Sequence, residues 1–134
     1  MKQSEVKTEA TTEAKIREVA SGIYELFLPL PMRPSIVNVY LVRDGEEWAL
    51  IDTGMHTEDS IATLKAALVE VGCQPSSIRK LISTHHHADH FGTSQTYKEL
   101  TGAEVYLNEM ELSRVERLQS TERLPGAFAF FQQH

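Results

Sequence analysis

Apolar residues in the first half of the chain recur at the short period of strands, and the period then lengthens to that of helices. Ile16–Val19 and Ile23–Leu28 are β-rich runs with Ser21-Gly22 between them as a turn. Pro29, Pro31 and Pro34 follow; a proline has no N–H to give a ladder, so this segment reads as a loop. Ile36–Val42 is β-rich again, Asp44-Gly45 is a hairpin signal, and Trp48–Asp52 is the return strand, ended by Thr53-Gly54. Over 58–71 the spacing of Ile61, Leu64, Leu68 and Val71 puts them on one helical face. Thr57 suits the N-cap, Glu58 and Asp59 suit the first turn, and Gly72 suits the stop. Pro75 precedes a strand over Ile78–Ser83. A short helix is expected over Thr93–Leu100, stopped near Gly102, then a strand over Val105–Leu107. Asn108 can cap a final helix from Glu109 to about Leu118. The order β-β-β-β-α-β-α-β-α predicts a mixed α/β arrangement.

The two ends differ from this middle. Residues 1–15 mix Lys, Glu, Thr and Ser with almost no large apolar groups, so they are expected to form a disordered leader. The far end carries Pro125-Gly126 and an apolar patch of Phe128, Phe130 and Phe131. A chain of 134 residues suits one domain with a modest core. The net charge of -6 repels phosphate backbones, which disfavours a nucleic-acid partner. Cys73 is the single cysteine, so no internal disulfide can form, and it reads as a small packing residue. No apolar run approaches the roughly 20 residues of a membrane helix, and the polar start lacks the apolar stretch of a secretory signal. No membrane partner and a cytoplasmic location are therefore expected. Trp48 reads as core, His56 as structural or solvated, and Arg114, Glu116 and Arg117 as a solvated helix face.

The chemistry concentrates in one place. Four of the six histidines lie in His85-His86-His87-Ala88-Asp89-His90, directly after a strand. Imidazole nitrogen and carboxylate oxygen are both zinc ligands. In an extended segment His85 and His87 point to the same side and can grip one metal. Asp89 and His90 lie where the chain must turn and can face a second. Gly92 is expected to let the backbone bend there. A purification tag would sit at a terminus and would not contain Ala-Asp. Four ionisable groups after a β-rich strand are costly to bury without a metal.

Thr84-His85-His86-His87-Ala88-Asp89-His90-Phe91-Gly92 resembles the H-x-H-x-D-H signature of the metallo-β-lactamase superfamily. Ile51-Asp52-Thr53-Gly54 resembles that family's first motif, at a strand end before a helix. The resemblance runs from about Ile16 onward. It implies the N-terminal half of an αβ/βα sandwich, with a mixed sheet bearing helices on one face. It also implies that His85 and His87 bind the first metal and Asp89 and His90 the second. Asp52 would bind neither and would orient the ligand loop by hydrogen bonds. His86 occupies a variable slot, so its side chain is expected to point away and is not assigned as a ligand. Diiron relatives typically carry glutamate at the second histidine of the signature; His87 therefore favours zinc, with two ions in the complete domain. The implied activity is a zinc-dependent hydrolase, with metal-bound hydroxide attacking a small-molecule ester, thioester or lactone. Asp89 would help orient the attack.

The chain also departs from the family pattern. A catalytic zinc usually has three protein ligands plus water, and the run supplies two for each metal. The family's later histidine, bridging aspartate and final histidine have no counterpart. His134, in Phe131-Gln132-Gln133-His134, is not in the later histidine's context and reads as a solvated terminal side chain. The expectation is a truncated domain over 16–134, inactive by itself. The bare face of its sheet would need the missing C-terminal half or self-association. A non-catalytic metal-binding or interaction module and a diiron redox protein of the same fold are the alternatives.

Overall fold

A computed structural model describes residues 15–122. Residues 1–14 of the expected 1–15 leader, Pro125-Gly126, the patch of Phe128, Phe130 and Phe131, and His134 lie outside the described residues, and Lys15, expected in the leader, opens the first strand. The elements are β1 (Lys15–Ala20), β2 (Ile23–Pro29), β3 (Ile36–Asp44), β4 (Glu47–Ile51), α1 (Glu58–Val71), β5 (Ile78–Ser83), α2 (Ala88–Phe91), α3 (Ser94–Thr101), β6 (Glu104–Leu107) and α4 (Glu109–Glu122). The six strands form one sheet in chain order. The first three pairings are antiparallel, and β4–β5 and β5–β6 are parallel. Parallel neighbours need crossovers, which α1 and the α2–α3 segment provide.

The sheet has one covered face. Along β3, Val37, Val39 and Leu41 are buried, while the alternate positions Asn38, Tyr40 and Val42 are only half-buried. Leu26, Leu28, Leu50 and Leu81 join the covered side, against Leu64, Ala67 and Leu68 of α1 and Tyr97 of α3. The expected mixed sheet with helices on one face is thus what forms. Trp48 and Cys73 lie in this core, as expected, and burial pushes the Cys73 thiol up to about 11. Among the described residues no helix is long and apolar enough to cross a membrane.

Local chemistry sets the helix ends. The Thr57 side chain accepts from the Ser60 N–H, as an N-cap should. At the other end Gly72 sits at φ 85; its N–H donates to Leu68 and Val69 carbonyls and the Cys73 N–H reaches back to Leu68. That is the Schellman closure, with Leu68 and Cys73 both buried beneath it.

Three features differ from the sequence reading. Pro29 closes β2, paired with Ile36, because the last position of a strand needs no further donor. A 3-10 turn, Pro75–Ser77, leads into β5. The third is α2, a single helical turn inside the histidine run, where the His90 and Phe91 N–H groups both donate to the His87 carbonyl. No apolar periodicity marks a four-residue turn, so the sequence carries no signal for it.

Candidate metal centre

Two chain segments meet at the ends of β4 and β5. Asp52 follows β4 directly, its N–H still bonded to the Ile82 carbonyl across the parallel ladder. It then leaves the strand at φ 66, the one positive φ among described non-glycine residues. Aspartate tolerates this left-handed conformation better than most side chains do. The turn aims a buried carboxylate at the start of the histidine run, which emerges beside it from β5.

Asp52 holds both ends of that run. Its Oδ1 accepts from the Thr84 N–H at 2.8 Å, and its Oδ2 accepts from the Thr84 hydroxyl at 2.7 Å. The same Oδ2 lies 2.8 Å from His90 Nδ1. The proton inventory then fixes the tautomers. A carboxylate only accepts, so His90 Nδ1 carries the hydrogen. The Thr84 hydroxyl has already donated its proton, so its 2.9 Å contact to His85 Nδ1 must be one in which the ring N–H donates. In both rings the lone pair is left on Nε2, the nitrogen a metal would use.

The adjoining segment fastens the other side. The Thr53 N–H donates to the His90 carbonyl at 2.9 Å, and the Thr93 hydroxyl donates to the Thr53 carbonyl at 2.7 Å. Gly92 lets the two segments touch, and Gly54 fits the Asp52 segment against β2 and α1. A Cβ on Gly54 would lie 2.7 Å from Leu28 Cδ1 and from Ser60 Oγ. One on Gly92 would lie 2.9 Å from the His56 nitrogen and 3.0 Å from the Gly54 oxygen. Gly92 itself has ordinary helical angles, φ -57 and ψ -37. A Cβ there would lie closer still to the Ala88 carbonyl oxygen of the same turn, so glycine serves the tight turn, as expected, through space and not through an unusual φ, and it also allows the close approach of two backbones.

These contacts bring His85, His87 and Asp89 together, with their candidate ligand atoms all within 4.8 Å of one another. Two ligands on a tetrahedral zinc at about 2.0–2.1 Å are separated by roughly 3.3 Å. Small side-chain rotations would therefore close this group onto one ion, and two nitrogens with one oxygen is a donor set zinc accepts. Asp89 joins the two histidines here, giving three donors where the alternation of the run suggests two. His90 is adjacent, its ring centroid 4.1 Å from that of His85 and its Nε2 3.5 Å from Asp89 Oδ2. Burial, with the neighbouring His90 and His87 rings, holds His85 below the usual imidazole range and so favours its neutral form. His56 is exposed and outside this group.

One partner of the run was not legible in the sequence. Glu111 of α4 is 8% exposed, and its Oε1 accepts from both the His86 N–H and His86 Nδ1–H at 2.8 Å. Arg114 Nη1 donates to the other oxygen at 2.5 Å. Arg114 is thus tied to this carboxylate while its side chain stays half-exposed, so the expected solvated face gains one ion pair. The bonds from the His86 ring and backbone hold Glu111 below the usual carboxylate range. Locally, Glu111 stands three residues after Asn108, which caps α4 by accepting from the Met110 N–H. That spacing suggests a capping box, but the carboxylate goes to His86, 25 residues away.

Known proteins place this geometry in a family. The sequence model of the Metallo-beta-lactamase superfamily matches residues 32–122. Over 72 residues the chain is 36% identical to the "Probable metallo-hydrolase YqjP" of Bacillus subtilis (strain 168), covering 54% of this chain and 22% of that protein. The metallo-beta-lactamase family protein TTHA1429 from Thermus thermophilus superimposes with a TM-score of 0.72 at 33% identity, over 87% of this chain and 38% of its own. A beta-lactamase domain protein from Burkholderia ambifaria gives 0.63 at 25% identity, over 72% and 31%. The chain spans well under half the length of each of these relatives. With the family match extending over both the Asp52 segment and the histidine run, the chain belongs to the metallo-beta-lactamase superfamily.

Proposed function

We propose that His85, His87, Asp89 and His90 hold zinc in a hydrolase that acts on a small-molecule ester, thioester or lactone. The observation that carries this reading is the convergence of His85, His87 and Asp89 donors within 4.8 Å, beside a carboxylate that orients the loop. In the full reading His85 and His87 serve one ion, and Asp89 and His90 serve a second. A bound divalent ion would supply Lewis acidity and an activated water near neutral pH. The chain's own residues do the rest. Asp52 keeps His90 in the tautomer that presents Nε2, and Thr84 does the same for His85. Asp89 accepts a hydrogen bond from the attacking water and aims it.

Zinc titration of the metal-free chain tests the metal. Zinc should raise the melting temperature and a chelator should reverse the rise; at 100 times Kd the gain is about 2.7 kcal/mol. His85→Ala with His87→Ala should reduce both the rise and the zinc bound per chain. Metal content should fall by about half in Asp89→Ala with His90→Ala if two ions are bound. Zinc content left unchanged by the loss of His85 and His87 would sink the reading. For the reaction, ester, thioester and lactone hydrolysis by the full-length protein should vanish with chelator and return with zinc.

A further inference from the structure

The metal loop is held from two sides, and only one of them belongs to the Asp52 segment. The other is Glu111. Its Oε1 receives two hydrogen bonds from one residue, His86: the backbone N–H and the ring Nδ1–H, both at 2.8 Å. Its Oε2 receives Arg114. A buried carboxylate with all its bonds directed this way has little freedom to move. His86 lies between His85 and His87, so whatever fixes its backbone and ring also fixes the direction in which its neighbours leave the chain. The His86 ring stands 4.8 Å from the His87 ring, which it therefore packs against.

We infer that Glu111 is a positioning residue of the histidine loop: by clamping His86 through backbone and ring it presets the spacing of His85 and His87 for a metal ion. The inference rests on the metal reading proposed above for its consequence, but the clamp itself exists without metal. It assigns α4 a part in the site although Glu111 is not itself one of the metal-ligand group. It also accounts for the sequence at 86, where a histidine supplies a ring N–H that most side chains lack.

The test has two arms on the full chain, using Glu111→Gln and Glu111→Ala. The first arm needs no metal. Amide exchange at His86 should be roughly 10-fold or more faster in Glu111→Ala. The His86 ring, expected by nitrogen NMR to be the Nδ1–H tautomer in the wild type, should shift toward a tautomer mixture in Glu111→Ala. Glu111→Gln keeps an acceptor oxygen and should fall between the two, and it serves alone should Glu111→Ala not fold. The second arm is zinc affinity by chelator competition, expected to weaken roughly 10- to 100-fold in Glu111→Ala, with partial rescue by Gln. Unchanged His86 exchange and tautomer would overturn the clamp, even if zinc binds. A changed His86 with unchanged zinc affinity would overturn its positioning role. If the wild type binds no zinc while Glu111→Ala still changes His86, the clamp stands, and the metal reading and the presetting for a metal ion are both overturned.

Discussion

At the scale of single residues, the site depends on groups whose importance comes from what lies beside them. Gly92 shows this most sharply. Its backbone angles suit any residue, so its identity is set by the Ala88 oxygen, which a Cβ would meet first, and by the His56 nitrogen and Gly54 oxygen at 2.9 and 3.0 Å. Those are backbone atoms and cannot rotate away. Gly92→Ala should therefore cost about 1–3 kcal/mol, as overpacking does, read as a lower melting temperature. A stability equal to wild type would mean that the turn at Ala88 and the two segments can give way without cost. Asp52 is legible in the sequence as a strand-end acid in a family motif, but its three accepted bonds are not. Glu111 is not legible as a site residue at all: its partner is 25 positions away, and its local context points to a helix cap.

At the scale of elements, local signals were reliable where they were chemical. Thr57 and Gly72 both close α1 as their residue types suggest, because a hydroxyl acceptor and a Cβ-free αL position act within one turn. Gly72 offers a clean contrast with Gly92. A Cβ there would meet nothing within 4 Å, so only the φ of 85 opposes a substitution. Gly72→Ala should cost about 1–2 kcal/mol from backbone conformation alone. Thermal melts of the two variants separate the mechanisms: at Gly72, the αL-tolerant asparagine should recover part of the loss, and at Gly92, with its helical angles, it should not. Element boundaries followed the sequence less closely. Pro29 extends β2 one residue past the expected end at Leu28, and α2 is a turn too short for periodicity to announce.

At the scale of the whole molecule, the sheet carries a core on one face and a polar network on the other. On that second face Glu25 is 6% exposed and accepts from Arg17, Asn38 and Tyr40. The Tyr40 hydroxyl and the Arg17 guanidinium hold its carboxyl below the usual glutamate range, against the opposing effect of burial. A carboxyl lowered in the folded state stabilises the fold above its unfolded value, and that contribution is lost as pH falls through the lowered one. Glu25→Gln should thus melt below wild type at neutral pH, and the gap should close in acid. Melting curves across that range check it; a gap that stays constant or widens in acid would refute the network's ionic contribution. Glu111 is lowered too, but it is common to both proteins and drops out of the difference.

The amino-acid sequence by itself determined the order of the strands and longer helices, the α1 caps and the residue types of the histidine run, because each rests on contacts within a few positions. It also pointed to the superfamily, through two short motifs. Only the tertiary structure decided how those motifs meet: the Asp52 carboxylate bridging Thr84 and His90, Asp89 joining His85 and His87, Gly92 allowing two backbones to touch, and Glu111 reaching His86 from α4. These contacts join residues far apart in the chain, and no local pattern encodes a distance that only the folded sheet and its crossovers bring within hydrogen-bond reach.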